Sequence, residues 1–226
     1  MRVEPLGDAA LYAEFSLHLD LRINEALQAV AAALRERAPP WVRDVVPSLG
    51  GLALHFDLDH AELPAAPLEA AARLLEDCLK AAARAPKSSR QVEVPVCYDP
   101  DFGLDLEEVA ARTGLDHAEI VRRHAATEHR VLMVGFAPGQ PYIGGLDRRL
   151  TVPRRATPRT RVPAGSIAIA NAQTVVYPFA IAGGWSVLGR TPLRVFDPQR
   201  KPPSLLAPGD RVRFAPISRA EFERLP

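Results

Sequence analysis

Hydrophobic and polar positions change rhythm twice along this chain. Over Met1–Phe15 the apolar residues Leu11, Ala13 and Phe15 alternate after Gly7-Asp8, which predicts a β-hairpin turning at that pair. Ile23, Leu27, Val30 and Leu34 then recur at helical spacing behind Asp20, a candidate N-cap, and Pro39-Pro40 stops the helix. Trp41–Val46 and Leu52–Phe56 read as strands, the second alternating Leu52, Leu54 and Phe56 against Ala53 and His55. A second amphipathic helix starts near Pro67, with Leu68, Leu75 and Leu79 on its buried side. These elements predict a small α+β domain over residues 1–86. Arg84–Gln91 has no apolar anchor and reads as a linker.

Residues 91–226 open with Val92, Val94 and Val96 in strand alternation. Two short helices follow. Asp105 and Glu108 have the spacing of a capping box and Gly114 stops the first helix, while Asp116 and Glu119 start the second. From Arg130 the rhythm is β, with strands expected at Val131–Val134, Ser166–Ala170, Thr174–Tyr177, Trp185–Leu188, Leu193–Phe196 and Arg211–Phe214. Pro208-Gly209-Asp210 makes a tight turn before the last of them. Short strands punctuated by Gly and Pro predict a closed or nearly closed barrel, so the fold class is an α+β domain followed by a mainly-β barrel domain.

Composition sharpens this picture in one place. Of 226 residues 22 are proline, and Gly and Pro crowd the stretch from Val134 to Pro198. No helix absorbs that density, so this stretch must hold backbone in turns and short strands, where small-molecule sites are built. A net charge of +1 excludes the basic surplus that bulk nucleic-acid or membrane-surface binding needs. The absence of a long apolar run and of a signal-peptide pattern predicts a cytoplasmic protein. Cys78 and Cys97 have no metal-type spacing and are expected as reduced thiols, and no His/Cys group suggests zinc.

Candidate chemistry is spread through the second part. Leu106–His124 has helix-turn-helix spacing, but five acids (Asp105, Glu107, Glu108, Asp116, Glu119) face only Arg112, Arg122 and Arg123. A DNA-reading helix needs a positive field, so a helical pair capping the barrel is expected instead. Arg148, Arg149, Arg154, Arg155, Arg159 and Arg161 form a cluster suited equally to a carboxylate or phosphate ligand and to a solvated or partner-facing turn. The turns at Gly135, Gly139, Gly144-Gly145, Gly165 and Gly183-Gly184 could offer backbone amides to an anion, but none matches a phosphate-binding or dinucleotide-binding loop. His124 is the candidate acid–base group by its ordinary pKa. Gln173, Tyr142, Tyr177 and Arg190 are polar candidates within the Gly/Pro stretch, and Ser166 is a nucleophile or, more simply, a turn hydroxyl.

Gly135–Leu146 (GFAPGQPYIGGL), Pro153–Ser166, Gln173-Thr174 with Tyr177-Pro178, and Gly183–Pro198 occur in fixed order. In these four motifs the chain resembles the allophanate hydrolase subunit 1, or KipI-like, family. Gln140 stands where the family pattern has Phe, and Asn171 and Val175 where it has glycines. The resemblance implies a cyclophilin-like barrel and a heteromeric enzyme that opens 5-oxoproline to glutamate at the expense of ATP. The implied partners are a second cyclophilin-like subunit, of the allophanate hydrolase subunit 2 type, and a LamB/YcsF-type component. Without them the chain is not expected to be active. The resemblance also implies two alternatives, inhibition of a histidine kinase and a carboxyltransferase role like that in urea carboxylase. Under the enzyme reading His124 and Arg159 would be catalytic. Gln140, Tyr142, Arg154, Ser166, Gln173, Tyr177, Trp185 and Arg190 would bind substrate.

Overall fold

The structure is a computed structural model that describes residues 1–82 and 90–225. The chain folds as two compact units, Met1–Ser88 and Ser89–Pro226. Most of the expected linker Arg84–Gln91 lies outside the described residues, and Gln91 already belongs to a strand.

In the first unit β1 (Arg2–Pro5) and β2 (Ala10–Glu14) form the hairpin, with Gly7 at positive φ in its turn. β3 (Val42–Pro47) and β4 (Gly51–Phe56) complete an antiparallel sheet in the order β1-β2-β4-β3. Helix α1 (Leu21–Arg37) is capped by the Asp20 carboxylate, which accepts from the Arg22 and Ile23 amides. It buries Leu27, Val30 and Leu34, and α2 (Pro67–Ala82) buries Ala71, Leu75 and Cys78, in one core with Leu11, Leu52, Leu54 and Phe56. That core absorbs the apolar face of both helices, which is what the sequence periodicity demanded.

In the second unit seven strands close a barrel: β5 (Gln91–Cys97), β6 (His129–Val134), β7 (Pro141–Gly144), β9 (Ser166–Ala170), β10 (Gln173–Val176), β12 (Ser186–Arg190) and β13 (Arg211–Ile217). Their order around the barrel is β10-β7-β6-β13-β5-β12-β9, with β5 and β13 parallel and the other pairs antiparallel. A separate two-stranded ribbon pairs β8 (Arg159–Val162) with β11 (Ile181–Gly183). Helices α3 (Leu106–Thr113) and α4 (His117–Ala126) send Leu106, Val109 and Ile120 into the barrel core, so the helix-turn-helix spacing serves packing. A short α5 (Arg219–Arg224) follows the last strand.

Three expectations change. Leu193–Phe196 is not a strand: Pro192 and Pro198 flank it, and only Phe196 makes an isolated bridge, to Ser204. β7, β8 and β11 are too short and too rich in Gly, Pro or Arg to show strand alternation. Asp105 sits at the start of α3 but caps nothing with its side chain, which points elsewhere.

Candidate functional site

Strand parity sorts the side chains of β7, β9 and β10 into two sets. Ile143, Ile167, Ile169 and Val176 face the barrel core, while Ala168, Ala170, Val175 and Tyr177 face outward and join Val162, Trp185 and Val187 in a second, smaller core. Tyr142 pairs with Val175 and lies on that outward face. Val162 and Ile181 of the β8–β11 ribbon pack against the same face.

Five expected binding residues meet here. Tyr142 and Trp185 pack edge to face with ring centroids 5.9 Å apart. The exposed Arg154 lies over the Trp185 ring, its guanidinium carbon 5.7 Å from the centroid, and no acid among the described residues pairs with it. Gln140, two residues before Tyr142, is buried. Burial raises the Tyr142 phenol, against the opposing charge of Arg154. Burial likewise pushes Tyr177 up to about 12, with the Trp185 backbone amide opposing. Both phenols are therefore protonated hydrogen-bonding groups near neutral pH. The arrangement offers a cation above an aromatic wall with an amide at its inner end, which suits a small carboxylate with a planar polar group.

The remaining candidates lie elsewhere. Arg159 places Nη1 and Nη2 each 2.7 Å from the Asp105 carboxylate, which also takes Arg155 at 2.5 Å and the Val187 amide at 2.7 Å. With both prongs engaged, Arg159 is a structural clamp between the ribbon and the start of α3, and its expected catalytic role has no geometric support. Asp105 is the residue sequence reasoning misplaced. Its partners lie 50 and more positions downstream, where no local spacing announces them.

His124 is fully buried at the barrel end. Its Nδ1 lies 2.7 Å from the Tyr98 hydroxyl and its Nε2 3.3 Å from the Thr174 hydroxyl, while its ring stacks on Phe214. His129 adds a bond from its ring to the His124 carbonyl, at 2.8 Å. Desolvation holds His124 well below the ordinary histidine range. A neutral ring shut in the core with both nitrogens engaged is a packing and hydrogen-bonding element, and the acid–base role expected for it has no geometric support either. Gln173 begins β10, four residues before Tyr177 and so roughly 13 Å along the strand.

Arg190 and Ser166 belong to a different place. Ser166 is buried opposite Arg190 at the start of β9. A cleft of about 430 Å³ beside them is lined by Gly165, Pro178, Arg190, Arg194 and Phe222 among others. Three family motifs converge there through backbone bonds: Gly165 N–H to the Tyr177 carbonyl at 2.7 Å, and Thr191 N–H to the Gly165 carbonyl at 2.9 Å. Arg190 donates to the Ala164 carbonyl at 2.7 Å and lies over Phe222, so its guanidinium braces the cleft wall.

The Gly135 and Gly165 amides donate to the carbonyls of Gln140 and Tyr177, which removes them from any anion nest. Among the described residues no His/Cys/Asp/Glu group could hold a metal ion, and no helix is long and apolar enough to cross a membrane.

The chain belongs to the family of the carboxyltransferase domain, subdomain C and D, whose model matches residues 1–206. It is 39% identical to the B component of 5-oxoprolinase from Bacillus subtilis over 98% of this chain and 95% of that protein. The corresponding component of Escherichia coli O157:H7 is 51% identical over 57% of this chain and 59% of its own length. Among solved structures, that of TTHA0988 matches 92% of this chain and 40% of its own with TM-score 0.80 at 37% identity. The Kluyveromyces lactis urea carboxylase shares the fold, with TM-score 0.73 at 19% identity over 98% of this chain and 22% of that one.

Proposed function

We propose that this chain is the B component of a heteromeric, ATP-dependent 5-oxoprolinase, which opens the ring of 5-oxo-L-proline to L-glutamate. The likeness to the Bacillus subtilis component over nearly the full length of both chains carries this reading. The site chemistry agrees with it. Opening a lactam breaks its C–N bond, adds water across it and leaves a second carboxylate, so a binding site must tolerate growing negative charge. The unpaired Arg154 guanidinium meets that charge, and Tyr142 and Trp185 wall the ring.

In this reading the assembly binds ATP, and the Gly135 and Gly165 amides and Arg159 of this chain already bond protein groups. The partners in this reading are a LamB/YcsF-type component and a second cyclophilin-like subunit, in a cytoplasmic setting. A carboxyltransferase role is the second reading, favoured by the family model over residues 1–206.

Co-expression with its genomic neighbours, followed by a glutamate-release assay, tests the proposal. Release that needs ATP, 5-oxoproline and this chain together is the expected result. Release that continues unchanged when this chain is omitted overturns it.

A further inference from the structure

Gln140 is 3% exposed, and its Oε1 is a buried acceptor with no hydrogen-bond partner. Gln140 stands two residues before Tyr142, at the entry to β7. A buried carbonyl left unpaired costs about 1–3 kcal/mol, so it marks a position where a ligand can complete the bonding.

Arg154 is the complementary group. Its guanidinium is exposed, rests on the Trp185 ring and pairs with no acid among the described residues. Arg154 rests on Trp185, the Trp185 ring packs against Tyr142, and Gln140 lies two residues before that tyrosine, so one small molecule can reach both groups. In a five-membered lactam carrying a carboxylate beside its nitrogen, the N–H donor and the anion are attached to one carbon. That pairing matches an acceptor and a cation flanking a single tyrosine.

We propose that Gln140 Oε1 is the specificity-determining acceptor of this site, receiving the ring N–H of a small cyclic amide whose carboxylate is taken by Arg154. Binding exchanges the Arg154–Trp185 contact for a charge-assisted bond, with the ring held against Tyr142. The proposal rests on the substrate reading given above, and it separates ligands that donate at the ring position from those that accept there.

Calorimetric titration of the assembled complex with 5-oxoproline and with its ring-oxygen lactone counterpart tests this. The wild type is expected to bind the lactam at least about tenfold more tightly, because the lactone places a lone pair against Oε1. Gln140→Leu and Gln140→Met, checked for unchanged thermal unfolding, should erase the difference, while Arg154→Gln weakens both ligands alike. Equal binding of the two ligands by the wild type, a preference that survives in both Gln140 variants, or binding of neither ligand overturns the assignment. A Gln140-dependent preference in an assembly that releases no glutamate removes the enzyme reading and keeps this one. Glutamate release with a preference indifferent to Gln140 does the reverse.

Discussion

Arg159 grips Asp105 with two parallel bonds of 2.7 Å, and the carboxylate is 3% exposed. The pair ties β8 to the beginning of α3 and holds the Val187 amide in β12 as well. Removing the acid leaves the Arg159 guanidinium and the buried Val187 amide without their acceptor, and Arg155 with Glu108 alone. Asp105→Ala is expected to cost about 3–5 kcal/mol, and Arg159→Ala distinctly less because Arg155 still pairs with the carboxylate. Urea unfolding of both variants checks the order. Equal losses would show that Asp105 is held by Arg159 alone.

Acid should weaken the second unit through its buried histidines. Desolvation, with His129 beside it, holds His124 far below the usual range, and burial also lowers His129. Both are neutral when folded, whereas the unfolded chain protonates them near pH 6.5. Their contribution is therefore complete above about pH 6.5 and is lost on acidification, by up to about 1.4 kcal/mol per pH unit for each ring. Urea midpoints at about pH 7.5 and about pH 5.5 should differ more for the wild type than for His124→Gln. An equal drop in both proteins would remove His124 from the account.

Gly165 is fixed by its surroundings. Its φ is +78°, and an added Cβ would lie 2.3 Å from the Thr191 carbonyl oxygen. Gly165→Ala is expected to destabilise the fold by about 1–3 kcal/mol and to loosen the junction of β9, β10 and β12. A melting temperature equal to the wild type would contradict the close approach.

Much of the architecture was legible because it is local. Asp20, Asp116 and Gly114 cap their helices as their positions suggested, and alternation marked β4, β5 and β9. β7 and β8 were not legible, since their pairing comes from distant strands rather than from their own pattern. Asn171 illustrates the difference: it takes φ 53°, the backbone state a glycine would serve, and Asn is among the few residues that tolerate it. The site was half legible. Tyr142, Tyr177, Arg154 and Trp185 gather on one outer face of the barrel, whereas His124 and Arg159 were chosen for chemical type, and the structure places the one in a buried hydrogen-bonded group and the other in an ion pair with Asp105.

Exposed Arg154 should matter for substrate and hardly at all for stability. Arg154→Gln is expected to leave unfolding within about 0.5 kcal/mol of the wild type. In the reconstituted complex it should raise KM for 5-oxoproline by about tenfold or more, the value of a charge-assisted bond. A change confined to kcat would place Arg154 outside substrate binding.

The outer barrel face and the 430 Å³ cleft are rival places for substrate, and one comparison separates them. It is kcat/KM for 5-oxoproline in complexes carrying Tyr142→Ala on the outer face or Arg194→Ala in the cleft. The outer-face site predicts a fall of about tenfold or more for Tyr142→Ala and near wild-type turnover for Arg194→Ala. A large loss with Arg194→Ala and none with Tyr142→Ala would contradict it.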